Sequence, residues 1–147
     1  MSMKEFYTRS KANEGKKVPL SLPDGSPSEH WLVVRGVDSD EFRRAEAKSK
    51  RKAIELAQIK DDKERQDAIE QEKLELIAVL VADWSFPEEC SRENVVEFLR
   101  EAPQIGDMVD RIAVSRASFF GERSSSSTGT QKKSSGSKSA RKAPKYR

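Results

Sequence analysis

Histidine and cysteine, the residues that most often carry metal and nucleophile chemistry, are nearly missing from this sequence: there is one of each in 147 residues. A lone cysteine, Cys90, excludes an internal disulfide and any multi-cysteine metal site. It also follows two acids, Glu88 and Glu89, which would raise its pKa and leave an unreactive thiol. His30 opens a predicted strand beside Trp31, with no second histidine or cysteine at metal-ligand spacing, so a structural role is expected of it. Glycine is scarce, and Gly25 and Gly36 are isolated, so no backbone cradle for a phosphate or cofactor appears. No Ser–His–Asp order or zinc spacing is present either. The expectation is a protein without catalytic, cofactor-binding or metal-binding residues.

Long apolar runs are missing too. The longest, Leu76 to Ala82, is far too short to cross a bilayer, and the opening MSMKEFYTRSK has no signal-peptide apolar region. A soluble, cytoplasmic protein with no membrane partner is expected.

Charge is what the sequence has in plenty, at 36% Asp, Glu, Lys and Arg, against 35% hydrophobic residues. Its distribution matters more than its net value of +3. Residues 121–147 hold eight of the 28 basic residues against the single acid Glu122, so the first 120 residues hold 20 bases and 24 acids. An acidic body is therefore joined to a cationic, Ser/Lys-rich tail. The tail lacks the apolar content that offsets the entropy of ordering, and is expected to be disordered. The body is long enough to bury a modest core.

Ahead of the folded body, residues 1–16 are polar and expected to be flexible. Residues 17–36 read as a hairpin. Lys17-Val18-Pro19-Leu20-Ser21-Leu22 alternates, Pro23-Asp24-Gly25-Ser26 is a turn signal, and His30-Trp31-Leu32-Val33-Val34-Arg35 is rich in β-formers. Pro19 restricts its strand to a sheet edge, and two strands alone are marginal, so the hairpin must lie on helices.

Four helices are predicted, over about 39–59, 62–84, 91–101 and 103–120. Asp38 with Glu41 forms a capping-box-like start to the first. Phe42, Ala45, Ser49, Ala53 and Leu56 give that helix a narrow face of mostly small residues, suited to close packing on another helix. Ile69, Leu76, Ile77, Leu80, Val81 and Trp84 give the second an apolar stripe, and a weak break falls at Lys60-Asp61-Asp62-Lys63. Pro87 stops helix, Ser91 caps the third, and Pro103 suits the first turn of the fourth. The fold class is therefore mainly α with a small N-terminal hairpin (α+β), a 17–120 body and a 121–147 tail.

The order of these landmarks resembles a known family. Trp31-Leu32-Val33-Val34-Arg35-Gly36 runs into Val37-Asp38-Ser39-Asp40-Glu41-Phe42-Arg43, and a charged helical hairpin ends in Leu80-Val81-Ala82-Asp83-Trp84-Ser85-Phe86. Glu93-Asn94-Val95-Val96-Glu97-Phe98-Leu99 then precedes Ala102-Pro103-Gln104-Ile105 and a last helix to Phe119-Phe120. From Trp31 to Phe120 the chain is similar to the tail assembly chaperones of long-tailed bacteriophages.

The resemblance implies a helical, non-catalytic protein of the infected host's cytoplasm, absent from the mature virion. It implies a partner, the tape-measure protein, held soluble while tail-tube subunits polymerise around it. It further implies a longer product, made by programmed frameshifting, that recruits tail-tube protein; the Lys132-Lys133 codons are a candidate slippery run. Self-association is compatible with such a role. The candidate partner-binding residues are Leu76, Leu80, Trp84, Val109, Ile112, Phe119 and Phe120, on helix-in-groove packing, although a core of this size would draw on the same residues. The competing reading is a small nucleic-acid-associated protein acting through the basic tail. Aromatic interleaving in that tail is limited to Tyr146, which disfavours it.

Overall fold

In a computed structural model that describes residues 2–120, the hairpin consists of β1 (Lys16–Ser21) and β2 (Pro27–Val34), paired antiparallel with Val18 opposite Leu32. Gly25, at φ +92°, supplies the left-handed residue of the connecting turn, and Asp24 accepts hydrogen bonds from the Ser26 N–H and hydroxyl. β1 is a sheet edge, as Pro19 requires. The other side of β2 is covered by a third strand, β3 (Val81–Trp84), which places Trp84 opposite Leu32.

That third strand corrects the sequence reading of a helix over 62–84. The helix ends at Ala78, and the chain turns through Val79 and Leu80 to extend along β2. The Arg35 N–H donates to the Leu80 carbonyl, and the Arg35 guanidinium donates to the Val79 carbonyl at 2.6 Å, holding the turn from the β2 side. Val81 and Trp84 suit strand as well as helix, and pairing with β2 decides between them.

The helices are α1 (Arg9–Glu14), α2 (Asp40–Leu56), α3 (Asp62–Ala78), α4 (Arg92–Glu101) and α5 (Pro103–Val114). α2 and α3 form a hairpin. Each begins on a side-chain cap, Ser39 accepting from the Phe42 N–H and Asp61 accepting from the Glu64 N–H. Ser39 holds the cap assigned above to Asp38, whose carboxylate is engaged elsewhere. The narrow face of α2 is buried only at its base: Phe42 is in the core, whereas Ala53 is exposed. Ser91 caps α4 through the Asn94 N–H, and Pro103 begins α5.

Both ends of the body depart from expectation. Residues 3–6 form a 3₁₀ turn and α1 follows, with Ala12 buried, where a flexible segment was expected. α5 stops at Val114, and an extended Ser115 leads into a 3₁₀ turn over Arg116–Phe120, so the last helix does not reach 120. The expected disordered tail, 121–147, lies outside the described residues.

The core lies between the inner face of the sheet and α4 and α5. Val18, Leu20, Leu32, Val34, Val81 and Trp84 from the strands meet Val95, Val96, Leu99, Ile105, Val109 and Ala113 from the helices. Alternation puts Val18, Leu20, Leu32 and Val34 on one face, a register shift in the β2–β3 pairing brings both Val81 and Trp84 to that face, and steps of three and four do the same along the helices.

Candidate functional site

The seven residues proposed from sequence do not form one surface. Leu80 and Val109 are 0% exposed and Trp84 is 7% exposed, so these three are core and present nothing to a partner in this conformation. Leu76 and Ile112 are half-buried and pack against the same core. Phe119 and Phe120 lie elsewhere, around a small hollow lined by Thr8, Ala12, Gly36, Val37, Asp38, Ala113 and Arg116.

That hollow is where the two ends of the body meet. Asp38, whose side chain is only 13% exposed, accepts two hydrogen bonds from Arg116 (2.7 and 2.9 Å), one from the Thr8 hydroxyl (2.6 Å) and one from Arg43 (2.9 Å). The Arg116 bonds hold the Asp38 carboxyl well below the usual carboxylate range, Thr8 and Arg43 contribute further, and partial burial opposes them. Beside it Asp40 takes Arg9 and Asn13, and the Gly36 N–H donates to the Ala12 carbonyl at 3.1 Å. One loop before α2 thus anchors α1, α2 and the Arg116–Phe120 turn. Phe119 is partly buried in this clasp, which leaves Phe120, 39% exposed, as the more accessible of the pair.

A larger apolar surface lies over the sheet end of the core, and of its aromatics only Trp84 was among the candidates proposed from sequence. Phe86 follows β3, and Phe98 projects from α4. Their rings are 5.1 Å apart, and both sit edge-on to Trp84 at 5.2 and 5.7 Å. His30 packs on the other side of Phe86 at 4.5 Å. Ser85 fixes this arrangement, because its hydroxyl accepts the Trp31 N–H at 2.9 Å and lies 2.9 Å from His30 Nδ1. The Trp84 indole N–H donates to the Glu88 carbonyl at 2.7 Å, so the chain after β3 is tied back over the cluster.

Phe86 and Phe98 separate two concavities. One, of about 220 Å³, is bounded by Leu20, Leu22, His30, Ala102 and Ile105. The other, of about 360 Å³, is bounded by Trp84, Glu88, Asn94 and Glu97. Leu22, on the hairpin turn, stands 50% exposed at the rim of the first. No lysine or arginine lines either concavity. The surface offers shape and apolar contact, with carboxylates at one side.

The remaining groups do not assemble a reactive centre. Burial, with Asp83 nearby, pushes the Cys90 thiol above its ordinary pKa, Arg35 opposing; Glu88 and Glu89, held responsible in the sequence reading, are not the cause. Among the described residues no three His, Cys, Asp or Glu side chains converge as metal ligands, and no helix is long and apolar enough to cross a membrane.

The described residues thus form a small sheet on a helical core with two apolar hollows beside it. The family model for phage tail assembly chaperones matches residues 1–110, and the chain belongs to that family. No curated protein and no solved structure matches it. The match includes both strands of the hairpin, β3, the Phe86–Phe98 surface and α1, and ends within α5.

Proposed function

We propose that the chain is a non-catalytic chaperone that binds the tape-measure protein in the host cytoplasm, keeps it soluble while the tail tube assembles, and is left out of the finished virion. The observation that carries the proposal is the pair of adjoining hollows around the half-buried Phe86 and Phe98 on a chain of the tail-assembly-chaperone family. A tape-measure protein is a long helix-rich chain whose apolar faces aggregate when bare, and a surface of two adjoining apolar hollows can cover such a face by helix-in-groove packing. Release during assembly requires that the affinity be moderate. Among the residues proposed from sequence, Phe120 keeps an accessible face and forms a second contact, whereas Leu80, Trp84 and Val109 support the fold from within. A longer frameshifted product would bring tail-tube protein to the same complex.

Co-expression tests this. The full chain, produced with the tape-measure protein of the same phage, should carry that protein into the soluble fraction and co-purify with it, and deletion of residues 121–147 should leave this intact. Tape-measure protein that stays insoluble beside the chain would sink the proposal. Binding that resides wholly in residues 121–147 and fades steeply with salt would favour nucleic-acid association instead.

A further inference from the structure

We infer that the Phe86–Phe98 surface selects a basic amphipathic helix: a segment whose apolar anchors fill the two concavities and whose lysines or arginines meet an acidic rim on α4. This rests on the proposed holding function and names the chemistry of the segment held.

The size of the hollows is the first argument. At about 220 and 360 Å³ they fall below and just above the lower limit of about 300 Å³ for small-molecule pockets, room for one or two side chains each. Sharing the Phe86 and Phe98 walls, they suit two anchors on one face of a single helix.

Charge is the second argument, and it fixes the sign of the partner. Glu88 and Glu97 line one hollow, and Glu93 and Glu101 lie one helical turn to either side of Glu97 on α4. All four are exposed, and none forms an ion pair among the described residues. Glutamates at i, i+4 and i+8 repel one another along a helix. Elsewhere in the body Asp38, Asp40, Glu41, Glu46, Asp62, Asp67 and Glu72 each hold an arginine or lysine, while others such as Glu55, Glu70, Asp107 and Asp110 form no ion pair among the described residues. What distinguishes the α4 row is its place beside apolar hollows that no lysine or arginine lines. The row beside the apolar hollows is left for a cation from outside, and a basic segment would gain both apolar burial and a salt-sensitive attraction.

The test uses the full chain and two synthetic 14-residue amphipathic helices with the same Leu/Phe face, one carrying lysine and the other glutamate at the remaining positions. Fluorescence anisotropy of the labelled peptides should show the lysine peptide binding at least about tenfold more tightly than the glutamate peptide. That preference should shrink to less than about threefold at roughly 500 mM salt. The E88Q/E93Q/E97Q/E101Q variant, altered only at exposed positions, should lose most of the preference while keeping its circular-dichroism spectrum. Phe98→Ala should weaken the lysine peptide about tenfold at both salt concentrations. Equal binding of the two peptides overturns the inference, as does a preference that survives the quadruple substitution. If neither peptide binds and Phe98→Ala instead changes the chain's sedimentation, a second copy occupies the surface and the inference also falls. Retention of tape-measure protein with equal peptide affinities would remove only the charge selectivity, whereas loss of retention would remove the holding function itself.

Discussion

The α2–α3 hairpin and the α4–α5 pair are both helix pairs of one chain, yet they use their residues in opposite ways. α2 and α3 run for 17 residues each and bury one residue apiece, Phe42 and Ala78. α4 and α5 are shorter, at 10 and 12 residues, and bury three and four. The hairpin instead carries ion pairs along its length, such as Arg44–Glu41, Lys63–Asp67 and Arg65–Asp62 within helices and Lys52–Glu72 between them. A helix polar on nearly every face stands by such local pairs and by propensity. The contrast teaches how to read charge here. Ion pairs support the hairpin, although Glu55, Glu64 and Glu70 there form none among the described residues, and what sets the α4 acids apart is the apolar hollow beside them.

The largest effect that could break this comparison is in stability. Leu80→Ala removes a side chain with no exposed surface at the meeting point of sheet and helices, and should destabilise the body by about 2–5 kcal/mol. Ile54→Ala, at a residue 66% exposed on α2, should change stability by less than about 0.5 kcal/mol. Urea titrations of both variants make the check; comparable losses would mean that the hairpin is buried against something the monomer does not show.

The clasp comes next. A Cβ built on Gly36 would lie 2.9 Å from the Ala12 Cβ and 3.3 Å from Phe119 Cε2, both packed groups. Gly36→Ala should therefore cost about 1–3 kcal/mol and loosen α1 and the Arg116–Phe120 turn together. Amide hydrogen exchange should show protection lost in α1 while the α4 amides keep theirs. Loss confined to one of the two segments would mean that they are not held as a unit.

Much of this architecture was legible in the sequence, and what was not depends on contacts between distant residues. The β1–β2 turn, the Ser91 cap, Pro103 and the break before Asp62 are all local signals, and each appears where its residues indicated. β3 was hidden because Val81–Trp84 continues the helical apolar stripe of Leu76 and Leu80, and only β2, some fifty residues earlier, draws it into a strand. α1 looked flexible because its anchors, Asp38, Asp40 and Gly36, lie far along the chain. The surface proposed here for a partner was missed for the same reason. Leu22, Phe86, Phe98 and Ile105 come from four separate elements, and nothing in their spacing brings them together.

A smaller effect should appear with pH. The folded-state pKa of Asp38 is depressed, so its stabilising contribution is complete above the unfolded value near 3.9 and is lost as pH falls below that toward the folded value. Asp38→Asn should lower Tm at pH 7, by about 1 kcal/mol in stability given how exposed Arg116 and Arg43 are. It should also flatten the fall in Tm between pH 4 and pH 2. Asp40 and Asp24 are depressed in the same direction by Arg9 and Ser26 respectively, so the slope should be reduced and not abolished. An unchanged acid slope in Asp38→Asn would show that the clasp does not govern acid stability.

The smallest effect is the most telling, because its sign differs from the others. Glu97 has Glu93 one turn before it and Glu101 one turn after it, and none of the three forms an ion pair among the described residues. Glu97→Gln removes two like-charge neighbours and keeps the length and polarity of the side chain, so it should stabilise α4 by a few tenths of a kcal/mol per pair. The equivalent change on the hairpin, Glu72→Gln, breaks the Lys52 pair and should be neutral or slightly destabilising. If the acids of α4 serve a partner, the substitution that improves folding must weaken binding, a trade-off characteristic of functional surfaces. Thermal melts of the two variants, set beside their retention of tape-measure protein at low salt, measure both quantities. Stabilisation by Glu97→Gln with retention undiminished would return the α4 row to the status of an ordinary solvated face and leave only apolar contact at Phe86 and Phe98 to account for holding.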